Sequence, residues 1–242
     1  MEHPTDTLTR CCAAAFGAVL FAFVAAGAVW ADDREQRDLV DQSRMTLENF
    51  LAGSNMGWFR DHIKDARGLF IVPQFLKAAF FFGGAGGSGV FVAKDQKTGE
   101  WSEPAFFTMG AGSFGFQFGA QASEVVLLVL TQKGVDGLLL GNFKLGADGS
   151  VAVGPVGAGV AGATTPNLSV DLLSFVRAKG LFAGVSLEGA VLAARDEWSR
   201  QYYGKPVSPA DILIRHEVKN PHSESLRLAI VKAADAKYRP KE

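Results

Sequence analysis

The stretch Gly84-Ala85-Gly86-Gly87-Ser88-Gly89 has the G-x-G-x-x-G spacing that lets a backbone approach a dinucleotide pyrophosphate. That chemistry needs a helix N-terminus after the glycines to hold the anion. Val90-Phe91-Val92-Ala93 follows instead, a run of strand type. A glycine-bulged hairpin is therefore expected here, and no cofactor. Ala111-Gly112-Ser113-Phe114-Gly115 is a loose relative of the nucleophile elbow, which needs a sharp strand-to-helix turn. Ser113 instead opens an alternating stretch. Beyond the N-terminal segment three histidines remain, His62, His216 and His222. One of them would have to fold back against Ser113 to complete a triad. His216-Glu217 and His222 show no metal-ligand spacing, and no metal site is expected.

The acids give no catalytic pair. Asp148 before Gly149 reads as a turn residue, and Asp171 sits at a turn or strand position. Glu188, inside an apolar stretch, is expected to face water or to pair with Arg177 or Lys179. The basic residues suggest binding instead. Lys77, Lys144, Arg177 and Lys179 each flank apolar strands. Gathered on one face, they would attract phosphate headgroups, beside membrane-contacting Phe80, Phe81 and Phe82. The competing reading is separate edge lysines that deter sheet-edge pairing.

These residues lie in a glycine- and phenylalanine-rich body. Positions 83 to 162 hold 19 of the chain's 28 glycines. Such density inside apolar runs implies close backbone approach, bulges and tight turns in β-structure. Leu69-Phe70-Ile71-Val72 reads as a short buried strand before Pro73. Strands are expected over 78–82, 89–94 and 101–108, with a hairpin loop at Asp95–Gly99. Strict alternation makes Ser113–Gly119 a further strand, and Glu124–Thr131 a continuously apolar one. A short helix is expected over 133–140. Small-residue strand follows over 143–163, then strands over 168–177 and 181–193 turning at Lys179-Gly180.

Helical spacing appears at both ends. Val40, Leu47 and Leu51 make one stripe over 32–52, and a shorter helix follows from Met56 to Ala66. The first helix mixes Arg34, Arg37 and Arg44 with Asp32, Asp33, Glu35, Asp38 and Asp41, so it is expected to pack on the body rather than lie in a membrane interface. Later, Asp196–Tyr203 stops at Gly204, Ser208-Pro209 is an N-cap with proline at N1, and Ser223–Tyr238 is amphipathic. The pattern specifies an α+β fold: a glycine-rich antiparallel β-sheet or barrel-like body flanked by N-terminal and C-terminal helices.

The 242 residues carry a formal net charge of −1, without the basic bias expected for nucleic acid. Arg10, the uncharged apolar run Cys11–Val29 and Val29-Trp30-Ala31 read as a secretory signal peptide over 1–31. An uncleaved single-span anchor is the alternative. Both cysteines lie inside that segment, so disulfide, thiol and thiolate-metal chemistry are excluded after cleavage.

The order of several segments resembles the SYLF domain family of lipid-binding and actin-regulating proteins. The matching stretches are Ala66–Pro73, Gly83–Val90, Trp101–Phe106, Gly112–Gln121, Phe143–Asp148, Val153–Gly157, Arg177–Gly189 and Tyr202-Tyr203-Gly204. They run through most of 32–213, leaving 214–242 as a helical extension. The resemblance implies a domain without enzymatic activity that binds anionic phospholipids, with phosphoinositide and actin binding in eukaryotic members. With the export signal, the expectation is a periplasmic or envelope-associated protein that recognises anionic headgroups. A structural or protein-interaction module with an envelope protein as partner is the second reading, and a serine hydrolase using Ser113 the third.

Overall fold

The computed structural model describes residues 33–79, 82–114, 119–156, 169–178, 181–183 and 187–235. Asp33–Glu242 forms one compact unit by itself. The predicted signal segment lies outside the described residues. Among the described residues no helix is long and apolar enough to cross a membrane.

Helices α1 (Arg34–Ala52) and α2 (Gly57–His62) lead into strands β1 (Gly68–Ala79), β2 (Phe82–Ala93), β3 (Ala105–Phe114) and β4 (Gly119–Val129). Helix α3 (Gln132–Leu139) precedes β5 (Asn142–Lys144), β6 (Val151–Val153), β7 (Leu172–Ala178), β8 (Leu181–Ala183) and β9 (Val191–Ala194). Helices α4 (Asp196–Tyr203), α5 (Pro209–Leu213) and α6 (Glu224–Ala234) follow. The fold is α+β, as the sequence pattern specifies.

The nine strands of the described residues form one sheet, ordered β5-β9-β3-β2-β1-β4-β7-β6, with β8 also on β7. The sheet is mixed rather than purely antiparallel, because β6 runs parallel to β7. It curls into a half-barrel. Phe143 on β5 and Leu172 on β7, near opposite ends of the order, share one core, and both flank Gly149.

The period-2 alternation sorts the strands into two cores. Phe70, Phe91, Phe107, Val125, Leu127 and Leu172 line the inner face, closed by α3 and α5. Leu69, Ile71, Val90, Val92, Val126, Leu128 and Phe175 line the outer face. There they are covered by Val40, Leu47 and Phe50 of α1, Phe59 of α2, and Leu226 and Ile230 of α6. Burial on both faces explains the continuous apolar run of β4, where alternation leaves no polar face.

Three strand expectations are corrected. The Leu69–Val72 strand does not end at Pro73 but continues to Ala79. Proline has no N–H to give a ladder, and the register shifts around it, between Val72 and Phe75 toward β4 and between Ile71 and Leu76 toward β2. Gly83–Gly89 is not a hairpin: it is the first half of β2, paired with β1 and β3. Two of its glycines make the β1 bulge fit. A Cβ on Gly87 would lie 2.2 Å from the Gln74 carbonyl oxygen, and one on Gly89 2.5 Å from that of Ile71.

Leu181–Ala193 is not one strand. Its start joins β7 as β8, and its end crosses to β3 and β5 as β9, after a turn at Gly189 with φ 83°. The stretch Ser113–Gly119 is divided between β3 and β4, and its centre, 115–118, lies outside the described residues. The helices form where expected, but the second passes into a 3₁₀ turn at Ile63–Asp65 and the last ends at Ala234 rather than Tyr238. α4 ends at left-handed Gly204, and Ser208 caps α5 through a full capping box with Asp211.

Candidate functional site

The residues that could do chemistry are placed in structural roles. Val90–Ala93 continues β2 after the glycines, so no helix N-terminus follows them. Ser113 sits in β3, opposite Gly83. His62 is on α2, stacked on Trp58 with centroids 3.9 Å apart. His216 lies 3.8 Å from Asp95, and His222 lies 3.3 Å from Asp41 of α1. Among the described residues no group of three histidines, cysteines or carboxylates could hold a metal.

The most engaged carboxylates brace the fold. Asp171, at the start of β7, accepts hydrogen bonds from the Thr131 hydroxyl at 2.6 Å, the Ser150 amide at 2.9 Å and the Ser150 hydroxyl at 3.0 Å. Burial opposes its charge, but these bonds and nearby Lys133 outweigh that and hold its carboxyl below the ordinary 3.8. Glu103 is buried before β3. It accepts from Arg227 of α6 at 3.1 Å and from the Ser223 hydroxyl, tying α6 to the sheet. Glu124 pairs with Arg177 across β4 and β7, and Asn49 of α1 donates to it at 3.1 Å. Arg177 pairs with Glu124; Lys179, the other partner expected for Glu188, lies outside the described residues. Glu188 stands at an exposed turn against Gly146.

The structure does not bring the described predicted cations together. Lys77 shares the inner side of β1 and β2 with Ala85. Arg177 faces α1 on the outer side, through Glu124 and Asn49. Lys144 is exposed on β5, at one end of the strand order. Lys179, Phe80 and Phe81 lie outside the described residues, as does the side chain of Phe82.

What the topology does bring together is a row that no single segment reveals. Pairing places Lys144 opposite Val191, Val191 opposite Gly110, Gly110 opposite Gly86, Gly86 opposite Leu76, and Leu76 opposite Ala122. All six lie on the outer side, beyond the cover of α1. Leu76 is 51% exposed and Val191 41%. The next row adds Gly84 and Gly112. A Cβ built on Gly84, Gly110 or Gly112 meets no atom within 4 Å. Along these glycines the outer face is open. A polar cavity of about 470 Å³, lined by Gln42, Gln74, Ser123, Glu124 and Arg177 among others, sits at its foot.

A polar row borders the face on the α4 side. Ser88 pairs with Thr108, Thr108 with Ala193, and Ala193 with Asn142. Arg195 reaches over this border, its Nη1 donating to Ser88 Oγ at 3.0 Å and its guanidinium 3.4 Å from the Trp198 ring centroid. Sequence reasoning passed over Arg195, Glu103 and the row. A charged residue directly between an apolar strand and a helix is the signal that could have drawn attention to Arg195.

Comparison with known proteins agrees with the motif order. Residues 110–233 match the family model described as "Ysc84: Las17-binding protein actin regulator". The human SH3 domain-containing YSC84-like protein 1 is 34% identical over 165 residues, 68% of this chain and 48% of that protein. The LAS seventeen-binding protein 3 of Saccharomyces cerevisiae is 32% identical over 183 residues, 74% of this chain and 39% of that protein. The Xenopus laevis YSC84-like protein is 31% identical over 181 residues, 74% of this chain and 53% of that protein. The chain spans about half or less of the length of these curated relatives. The family model, the sequence identity and the motif order converge, and the chain belongs to the Ysc84 family of SYLF-domain proteins.

Proposed function

We propose that this chain is a non-enzymatic binding domain whose partner is an anionic phospholipid surface, met at the cell envelope after export. One observation carries the reading: the open outer face, with Leu76 and Val191 exposed among glycines and Lys144 at its edge. Exposed apolar residues on a surface clear of bulky side chains can enter the interfacial zone of a bilayer, and a bordering lysine is drawn to anionic headgroups. The SYLF resemblance supports the same partner class.

Co-sedimentation of the compact unit Asp33–Glu242 with vesicles of graded phosphatidylglycerol content tests the reading. Binding should rise with anionic lipid, fall with salt, and drop on joint Leu76→Ser and Val191→Ser substitution. Vesicle binding unaffected by that pair would remove this face as the contact. The second reading is a protein-interaction scaffold, favoured by the family description, which names a protein partner for its members. Saturable capture of one envelope protein, insensitive to lipid, would decide for it.

A further inference from the structure

Arg195 differs from Arg177 and Arg227, which are also half-buried on the outer face. Arg177 has Glu124, and Arg227 has Glu103. Arg195 has no carboxylate within 4.0 Å among the described residues, and Glu35 of α1 acts on it only through space. Its amide donates to the Phe106 carbonyl, which sets the Arg195 side chain on the outer side of β3. Partial burial lowers its pKa below the ordinary guanidinium value, and the Glu35 charge opposes that. A cation partly stripped of water without a counter-ion is costly, and an arriving anion repays that cost.

The side chain is also pre-organised. Stacking on Trp198 fixes the guanidinium plane, and the bond to Ser88 fixes its direction. Ser88 accepts in that bond, so its own O–H remains to donate. The Thr108 hydroxyl is exposed, directly opposite Ser88 in register, and makes no side-chain hydrogen bond to protein among the described residues. Above them Gly86 and Gly110 leave the sheet bare.

We propose that Arg195, Ser88 and Thr108 form an anion subsite for a phosphate group on the outer sheet face. A planar guanidinium offers paired N–H groups to two phosphate oxygens, and the two hydroxyls suit a third. The bare glycine surface accommodates whatever the phosphate is esterified to. A lipid headgroup as the source of that phosphate rests on the membrane reading above; the subsite itself does not.

The test titrates the Asp33–Glu242 unit, its Arg195→Gln variant and its Glu35→Gln variant with inorganic phosphate, and separately with phosphatidic acid vesicles. Nuclear magnetic resonance follows the Arg195 Nε–H and the Ser88 and Thr108 amides. Saturable phosphate shifts at these groups support the subsite. Arg195→Gln should then weaken binding about tenfold, the size of one charge-assisted hydrogen bond. Glu35→Gln removes the opposing charge on an exposed residue and should tighten binding about twofold. The same opposite changes with vesicles alone would assign the phosphate to lipid.

Vesicle binding by all three proteins alike, without phosphate shifts at Arg195, would overturn the subsite and leave the membrane reading standing. Failure of the unsubstituted unit to bind any vesicle would remove the membrane reading, and the phosphate titration would still decide the subsite. Should Arg195→Gln fail to fold, Glu35→Gln and the phosphate shifts decide it.

Discussion

The Asp171 carboxylate shows how single residues of this chain are spent on architecture. It collects donors from Thr131, at the cap of α3, and from Ser150, before β6. These bonds favour the charged form, so its pKa is lower folded than unfolded. The sign of the pH dependence follows. Stability from Asp171 is fully present above the ordinary 3.8 and is lost as the pH falls through the lowered folded value. Asp171→Asn keeps the shape but cannot take up the pH-dependent bonds. Urea unfolding across a pH series should give a variant less stable at neutral pH, with a shallower acid decline than the parent. Asp33, Asp95, Glu197 and Asp211 also have lowered values, so the slope shrinks rather than vanishes. Parallel curves for the two proteins would show that Asp171 adds nothing to acid sensitivity. The role was hidden in the sequence because Thr131, Ser150 and Asp171 lie up to 40 positions apart.

At the scale of elements, glycines that look alike in sequence divide into two kinds. Gly87 and Gly89 face inward, under the β1 bulge made by Pro73. Gly84, Gly110 and Gly112 face outward over open space. Gly87→Ala drives a Cβ into the Gln74 carbonyl and should cost about 2 kcal/mol or more, because backbone on both sides must move. Gly110→Ala meets nothing and should stay within about 0.5 kcal/mol of the parent. Chemical denaturation of the two variants checks this, and equal losses would mean that the bulge yields. The helices were legible because their apolar stripes have a clear period and their stops are marked, as at Gly204. The full length of β1 was not, since proline usually ends a central strand. The shift at Pro73 also resets the alternation, which puts Leu76 outside and Lys77 inside. A lysine's place beside an apolar run therefore did not tell its face: the shift puts Lys77 inside, while Arg177 and Lys144 lie outside at distant strands.

For the whole molecule, the decisive property is one sheet serving two cores. Leu127 belongs to the inner core and Leu128, its neighbour, to the outer. Every strand from β1 to β4 contributes to both, so neither core can melt and leave the sheet intact. The helical ends are part of the same arrangement. α1, α2 and α6 cover the outer face, and Glu103 ties α6 to the connection before β3. Leu127→Ala and Leu128→Ala should therefore each cost about 3 kcal/mol while preserving a single transition. Trp58, Trp101 and Trp198 all pack on the outer core, so fluorescence reports that side, while far-ultraviolet circular dichroism reports the sheet as a whole. Coincident midpoints by both probes in both variants would establish one cooperative unit. A fluorescence midpoint that moves alone in Leu128→Ala would mean that the helical layer detaches before the half-barrel unfolds. The exposed glycine face would then extend down the sheet as the helices leave, and the area offered to a binding partner would depend on the stability of that layer.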